Sequence, residues 1–171
     1  KTGIDLINTS TKILNGLNDI LENFKPNVVL VQGDTTTVLA AALSSYYKQI
    51  PVAHVEAGLR TGEIYSPWPE EGNRRMTSSI TKWHFAPTFS SKNNLLKENI
   101  KADNIFVTGN TVVDSLFWIQ NKMKQDVDLK IKLDKKFSFI DLSKRIILVT
   151  GHRRESFGKG FQRICEALSE I

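Results

Sequence analysis

Apolar positions along the chain alternate between two periods. Ile7, Leu14, Leu17, Leu21 and Phe24 fall on one helical face, and Pro26 ends that element. Val28-Val29-Leu30-Val31 follows as a short continuous apolar run, the pattern of a strand covered on both faces. The spacing then predicts a helix over 36–49, a strand over 52–55, and a long loop holding Gly58, Gly62, Pro67 and Pro69. A helix over 70–83, a strand at His84-Phe85-Ala86, a helix over 90–99, a strand over 105–107 and a helix over 112–123 continue the rhythm. Strands separated by helices throughout predict a mostly parallel sheet with right-handed crossovers. The expected fold class is α/β.

The rhythm breaks at Lys124. Residues 124–144 are charged at many positions and show no sustained period, as expected of a connection in which Phe137, Phe139 and Ile140 pack locally. Ile146-Ile147-Leu148-Val149 then reads as a new strand and 157–171 as its helix. One βα unit cannot bury a core, so it is expected to open a second domain. The predicted organisation is a partial domain over 1–123, a connection over 124–144 and the start of another domain over 145–171.

Composition narrows the class. Of 171 residues, 40% are apolar and 24% charged, which excludes a disordered tail, a collagenous chain and a disulfide scaffold. The single cysteine, Cys165, has no partner within the chain and fits a reducing, cytoplasmic compartment. No apolar run is long enough to span a membrane, and the start of the chain has no signal-peptide pattern. The absent initiator Met suggests a trimmed chain or part of a longer one. The net charge of +5 is scattered, with doublets only at Arg74-Arg75, Lys135-Lys136 and Arg153-Arg154. A nucleic-acid partner would need a clustered basic patch, whereas a modest positive field suits a phosphorylated small molecule.

Ligands of open parallel sheets bind beyond the carboxyl ends of the strands, so the polar residues there carry the candidate chemistry. They are Gln32-Gly33-Asp34-Thr35-Thr36-Thr37, His54-Val55-Glu56-Ala57-Gly58-Leu59-Arg60-Thr61, Thr108-Gly109-Asn110-Thr111 and Gly151-His152-Arg153-Arg154-Glu155-Ser156. Asp34 precedes a Thr-rich helix start, where it is either a capping carboxylate alone or a cap with a catalytic role. Glu56 follows an apolar strand at a turn that would more naturally take Asn, Asp or Ser, and if buried it requires a partner such as Arg60. His54 is read as a core histidine making one backbone hydrogen bond. Two prolines beside Trp68 stiffen the loop that delivers Glu70 into the first turn of a helix, where the macrodipole favours a carboxylate. Glu70, Asn73 and Arg74 lie on adjacent turns of one face, either as a capped surface helix or as part of a site. Arg153 and Arg154 make either a structural pair or a diphosphate clamp. The sequence has no Walker or G-x-G-x-x-G pattern, no H-E-x-x-H and no C-x-x-C, and its three dispersed histidines argue against a metal site.

Taken in order with Tyr65 through Arg74, these segments resemble the bacterial non-hydrolysing UDP-N-acetylglucosamine 2-epimerases along essentially the whole chain. The resemblance implies two Rossmann-like domains in the GT-B arrangement, usually as a homodimer, with the active site in the cleft between them. It implies interconversion of UDP-N-acetylglucosamine and UDP-N-acetylmannosamine, supplying surface polysaccharides, by elimination and re-addition of UDP. Asp34, Glu56, Glu70 and His152 are the implied catalytic residues. Arg60, Arg153 and Arg154 join Asp34, Glu56 and His152 as substrate contacts. The redox-neutral chemistry requires no nicotinamide, metal or other cofactor. Activation by the substrate itself is a further implied property, with Glu70 to Arg74 and His152 to Arg154 as its candidate segments.

The family's N-terminal strand, its Gly-Thr-Arg-Pro-Glu segment and most of its C-terminal domain have no counterpart here. This chain alone is therefore expected to be inactive, with exposed sheet edges and apolar faces. Two alternatives remain: another GT-B sugar-nucleotide enzyme, such as a hydrolysing epimerase or a glycosyltransferase, or a non-enzymatic interaction module. The intact Ser66-Pro67-Trp68-Pro69-Glu70-Glu71 loop argues against the hydrolysing relatives.

Overall fold

The computed structural model describes residues 5–150 and 158–170. Helix α1 (Leu6–Phe24) starts at Asp5, whose carboxylate accepts the Asn8 amide at 3.0 Å, and ends at Lys25 in the left-handed region. Strand β1 (Val29–Gln32), helix α2 (Thr36–Tyr47), strand β2 (Val52–Val55), helix α3 (Glu70–Ile80) and strand β3 (Trp83–Ala86) follow. Helix α4 (Phe89–Lys97), a 3₁₀ turn (Ala102–Asn104) and strand β4 (Ile105–Val107) complete the alternation. The four strands are parallel and lie in chain order β1-β2-β3-β4. The expected α/β class and parallel sheet are what the structure contains.

The chain divides into two compact units, 1–115 and 116–171. In the first, the in-register residues Val31, His54, His84 and Ile105 are buried. Val31 and Val52 pack with Val38 and Ala42 of α2, while Ala86 and Ile105 pack with Ala57 and Leu95 of α4. The opposite face is more open. Phe85 and Phe106 pair there with ring centroids 5.7 Å apart, and Leu30 on the edge strand β1 is 64% exposed.

Helix α5 (Thr111–Gln125) runs across the boundary between the units, and the second unit holds α6 (Val127–Lys136) and α7 (Lys159–Ser169). One sequence expectation is corrected here, the strand over 146–149. The segment 124–144, read as a connection, holds α6, which Asp126 caps by accepting the Leu129 amide at 2.9 Å. That helix buries no residue, so local capping rather than an apolar stripe sustains it, and periodicity could not reveal it. Ile146-Ile147-Leu148-Val149 forms no strand, although its run is as apolar as β1. A strand exists through hydrogen bonds to a neighbour, and among the described residues none pairs with this segment, leaving Leu148 86% exposed.

His54 and His84 are cross-strand neighbours and both are fully buried. Burial, followed by the adjacent His54, pushes the His84 pKa down to about 4 from 6.5. Burial lowers that of His54 as well, against the opposing pull of the Gly33 carbonyl. The unfolded chain therefore binds a His84 proton near pH 6.5 that the folded core refuses until about 4. Stability is full above that upper value and lost as pH falls through the window. The loss expected from His84 is about 3 kcal/mol. Urea unfolding at a series of pH values between 7.5 and 4 checks this, and His84→Leu should flatten the profile.

Candidate active site

The carboxyl ends of β1 and β2 are tied together by backbone. The Gly33 amide donates to the Val55 carbonyl at 3.1 Å, and the Ala57 amide to the Phe85 carbonyl at 3.0 Å. His54 donates from Nε2 to the Gly33 carbonyl at 2.7 Å, the single backbone bond expected of it. Gly33 takes φ +86, turning the chain so that Asp34 leaves the strand end at the start of α2.

Asp34 is not the cap of that helix. Thr35 is, its hydroxyl accepting the Val38 amide at 3.3 Å. The Asp34 carboxylate instead faces α3, where Arg74 donates to its Oδ2 from Nε at 3.1 Å and from Nη2 at 2.8 Å. Asn73 Nδ2 donates to the Asp34 backbone carbonyl at 2.8 Å. Asn73 and Arg74 thus share the face that their spacing predicts. Glu70 is half-buried one turn earlier on that helix, and its carboxylate makes no hydrogen bond to another described residue.

Glu56 occupies the left-handed region at φ +67, a conformation that non-glycine residues rarely adopt and that clusters at functional sites. Its Oε2 lies 4.0 Å from where a Cβ on Gly33 would stand, next in the chain to Asp34. The expected Glu56–Arg60 pair does not form. Arg60 grips Glu98 with two nitrogens at 2.7 and 2.6 Å, and donates to Ser78 Oγ at 2.9 Å and to the Leu59 carbonyl at 2.7 Å. Through these bonds Arg60 fastens the loop to Ser78 of α3 and to Glu98 just after α4. Glu98 is 38 residues away in sequence, beyond any local pattern.

Gln32 Nε2 donates to Thr111 Oγ1 at 3.1 Å, bringing the turn after β4 to the same end of the sheet. His152, Arg153 and Arg154 lie outside the described residues. Sequence reasoning missed Glu71. Its side chain is fully buried and accepts the Thr61 amide at 3.2 Å, Arg74 Nη1 at 2.9 Å and Arg75 Nε at 3.2 Å. An acidic residue beside an Arg-Arg pair one helical turn away was the available signal, overshadowed by the helix-start explanation of Glu70-Glu71.

Asp34 and Glu56 thus follow the carboxyl ends of β1 and β2, Glu70 stands in the first turn of α3, and Arg74 holds one oxygen of Asp34. Carboxylates of this kind can take a proton from carbon and return one.

The whole chain, residues 1–171, matches the family model described as UDP-N-acetylglucosamine 2-epimerase. It is 55% identical over 171 residues to the UDP-N-acetylglucosamine 2-epimerase of Yersinia pestis, covering 100% of this chain and 46% of that protein. It is 54% identical over 169 residues to that of Escherichia coli K12, covering 99% and 45%. The crystal structure of the Neisseria meningitidis UDP-GlcNAc 2-epimerase bound to UDP-GlcNAc superposes with a TM-score of 0.94 at 50% identity, covering 99% of this chain and 46% of that one. The Methanocaldococcus jannaschii enzyme in complex with UDP-GlcNAc and UDP gives 0.83 at 40% identity, covering 94% and 43%. The chain spans less than half the length of these relatives.

Proposed function

The chain belongs to the UDP-N-acetylglucosamine 2-epimerase family, and from that premise we propose that it carries the sugar-facing part of an enzyme interconverting UDP-N-acetylglucosamine and UDP-N-acetylmannosamine. The observation that carries this is Glu56 Oε2 beside Gly33, the residue before Asp34, with Glu70 one turn before the arginine that holds Asp34.

In the proposed reaction a carboxylate among Asp34, Glu56 and Glu70 removes the C2 proton of the sugar. The C2–H electrons form a C1–C2 double bond, and the C1–O bond breaks with its pair leaving on UDP. The developing positive character at C1 acidifies the C2 proton, so removal and departure assist one another. Return of a proton to the opposite face of C2, with re-addition of the UDP oxygen at C1, gives the epimer. His152, Arg153 and Arg154 stabilise the departing diphosphate in this scheme, since imidazole and guanidinium donors match its oxygens. No electron is gained or lost overall.

The proposal includes a second Rossmann-like domain that begins at 145 and follows the 124–144 connection. It also includes the homodimer, the supply of surface polysaccharide and activation by the UDP-sugar, which rest on the family resemblance, and the cytoplasmic setting, which rests on the single cysteine. The isolated chain is proposed to be inactive, because it spans less than half the length of its relatives.

The test is an assay with UDP-N-acetylglucosamine of the chain alone and of a chimaera. In the chimaera these 171 residues replace the matching segment of the Neisseria meningitidis enzyme. The chimaera alone should yield UDP-N-acetylmannosamine. Turnover by the isolated chain would overturn its proposed inactivity. A chimaera releasing free sugar and UDP would favour a hydrolytic enzyme, and an inert one would overturn the epimerase proposal.

A further inference from the structure

The proposed reaction leaves the most deeply buried carboxylate of the first unit, Glu71, without a task. Burial by itself would raise its pKa, but the Thr61 amide and the Arg74 and Arg75 guanidiniums together bring it below the ordinary carboxylate value. Stability is a weak reason to keep such a group, because well-packed apolar residues commonly do as well as a buried ion pair.

The geometry of Arg74 supplies a better one. An arginine facing a single carboxylate tends to run two parallel bonds, one to each oxygen. Arg74 does otherwise: Nη1 is held by Glu71 Oε2 at 2.9 Å, and Nε and Nη2 both converge on Asp34 Oδ2. Asp34 Oδ1 makes no hydrogen bond to another described residue. The backbone on either side is already fixed, by His54 at the Gly33 carbonyl and by Asn73 at the Asp34 carbonyl. What remains adjustable is the angle at which the guanidinium meets the carboxylate, and Glu71 controls it.

Resting on the epimerase reading above, we propose that Glu71 is a positioning residue. By holding Nη1 of Arg74 it keeps the guanidinium on Oδ2 of Asp34 and leaves Oδ1 open to the sugar. Without that hold, Arg74 swings to span both oxygens, and the carboxylate that faces the substrate is occupied.

Steady-state kinetics of Glu71→Gln in the chimaera tests this. The expected result is a kcat lower by about 100-fold with KM nearly unchanged, the scale of loss that accompanies a misplaced reacting group. Glu71→Gln combined with Asp34→Asn should be no slower than Asp34→Asn alone, because the first change acts through the second. A purely structural role would make the two losses multiply. A Glu71→Gln kcat within about threefold of the parent, or multiplying losses, overturns the proposal. If Glu71→Gln does not fold, Arg74→Lys takes its place. An ammonium lacks the planar fork that serves both carboxylates, so the same kcat loss and the same non-additivity with Asp34→Asn are expected, and multiplying losses overturn it. A parent chimaera without turnover strikes the epimerase reading itself, and this inference falls with it.

Discussion

Replacing Glu56 by Gln in the chimaera lowers turnover of UDP-N-acetylglucosamine by about a thousandfold, within the range of a lost general acid or base. The substitution keeps size and shape and removes only the charge. Glu56 stands at φ +67, between a strand that pairs with β1 and β3 and an Ala57 amide bonded to the Phe85 carbonyl at 3.0 Å. Its backbone is held on both sides, and its carboxylate lies beside Gly33 and the start of the Asp34 segment. A misplaced or bystander carboxylate would tolerate the amide. Kinetics by direct product separation check this, and a loss below about tenfold would remove Glu56 from the chemistry.

The second large effect is on stability. Gly58→Ala lowers the unfolding free energy by about 4 kcal/mol, combining left-handed strain with overpacking. Gly58 has φ +88, and an added Cβ would stand 2.3 Å from the Ser91 carbonyl oxygen and 3.0 Å from Leu95 Cδ1. Neither can retreat easily. Ser91 lies in the first turn of α4, and Leu95 is the fully buried centre of the second core cluster. Asn94 also donates to the Gly58 carbonyl at 3.0 Å, so displacement of Gly58 breaks a further tie to the helix. Gly62 is the control. Its φ is +86, but a Cβ there meets nothing within 4 Å, so Gly62→Ala carries strain alone, about 1 kcal/mol. Denaturant titration of both variants checks the pair, and equal losses would contradict the packing argument.

The sheet and its helices were legible because their signal is local. Short apolar runs such as Val28 to Val31 mark strands, and Pro26 marks a helix end. The same signal misled at Ile146 to Val149, since apolarity qualifies a segment for a sheet but only a neighbour makes it a strand. The positions of Asp34 and Glu56 were legible from the rule that ligands gather at strand ends. Their surroundings were not. Thr35 rather than Asp34 caps α2, Arg60 goes to Glu98 rather than to Glu56, and Glu71 joins Arg74 to the Thr61 loop. Each is a contact chosen among several chemically equivalent partners, and the choice depends on how α3 and α4 lie against the sheet. Charge and spacing name the candidates, but packing selects among them.

The most direct measurement of the central claim is turnover of UDP-N-acetylglucosamine by the chimaera in deuterium oxide, with the product read by proton NMR. Removal of the C2 proton and its return from solvent predict UDP-N-acetylmannosamine carrying deuterium at C2, and Glu56→Gln should slow the appearance of that labelled product by the same factor of about a thousand. Product formed with its C2 proton fully retained would contradict a carboxylate-mediated proton exchange at this end of the sheet.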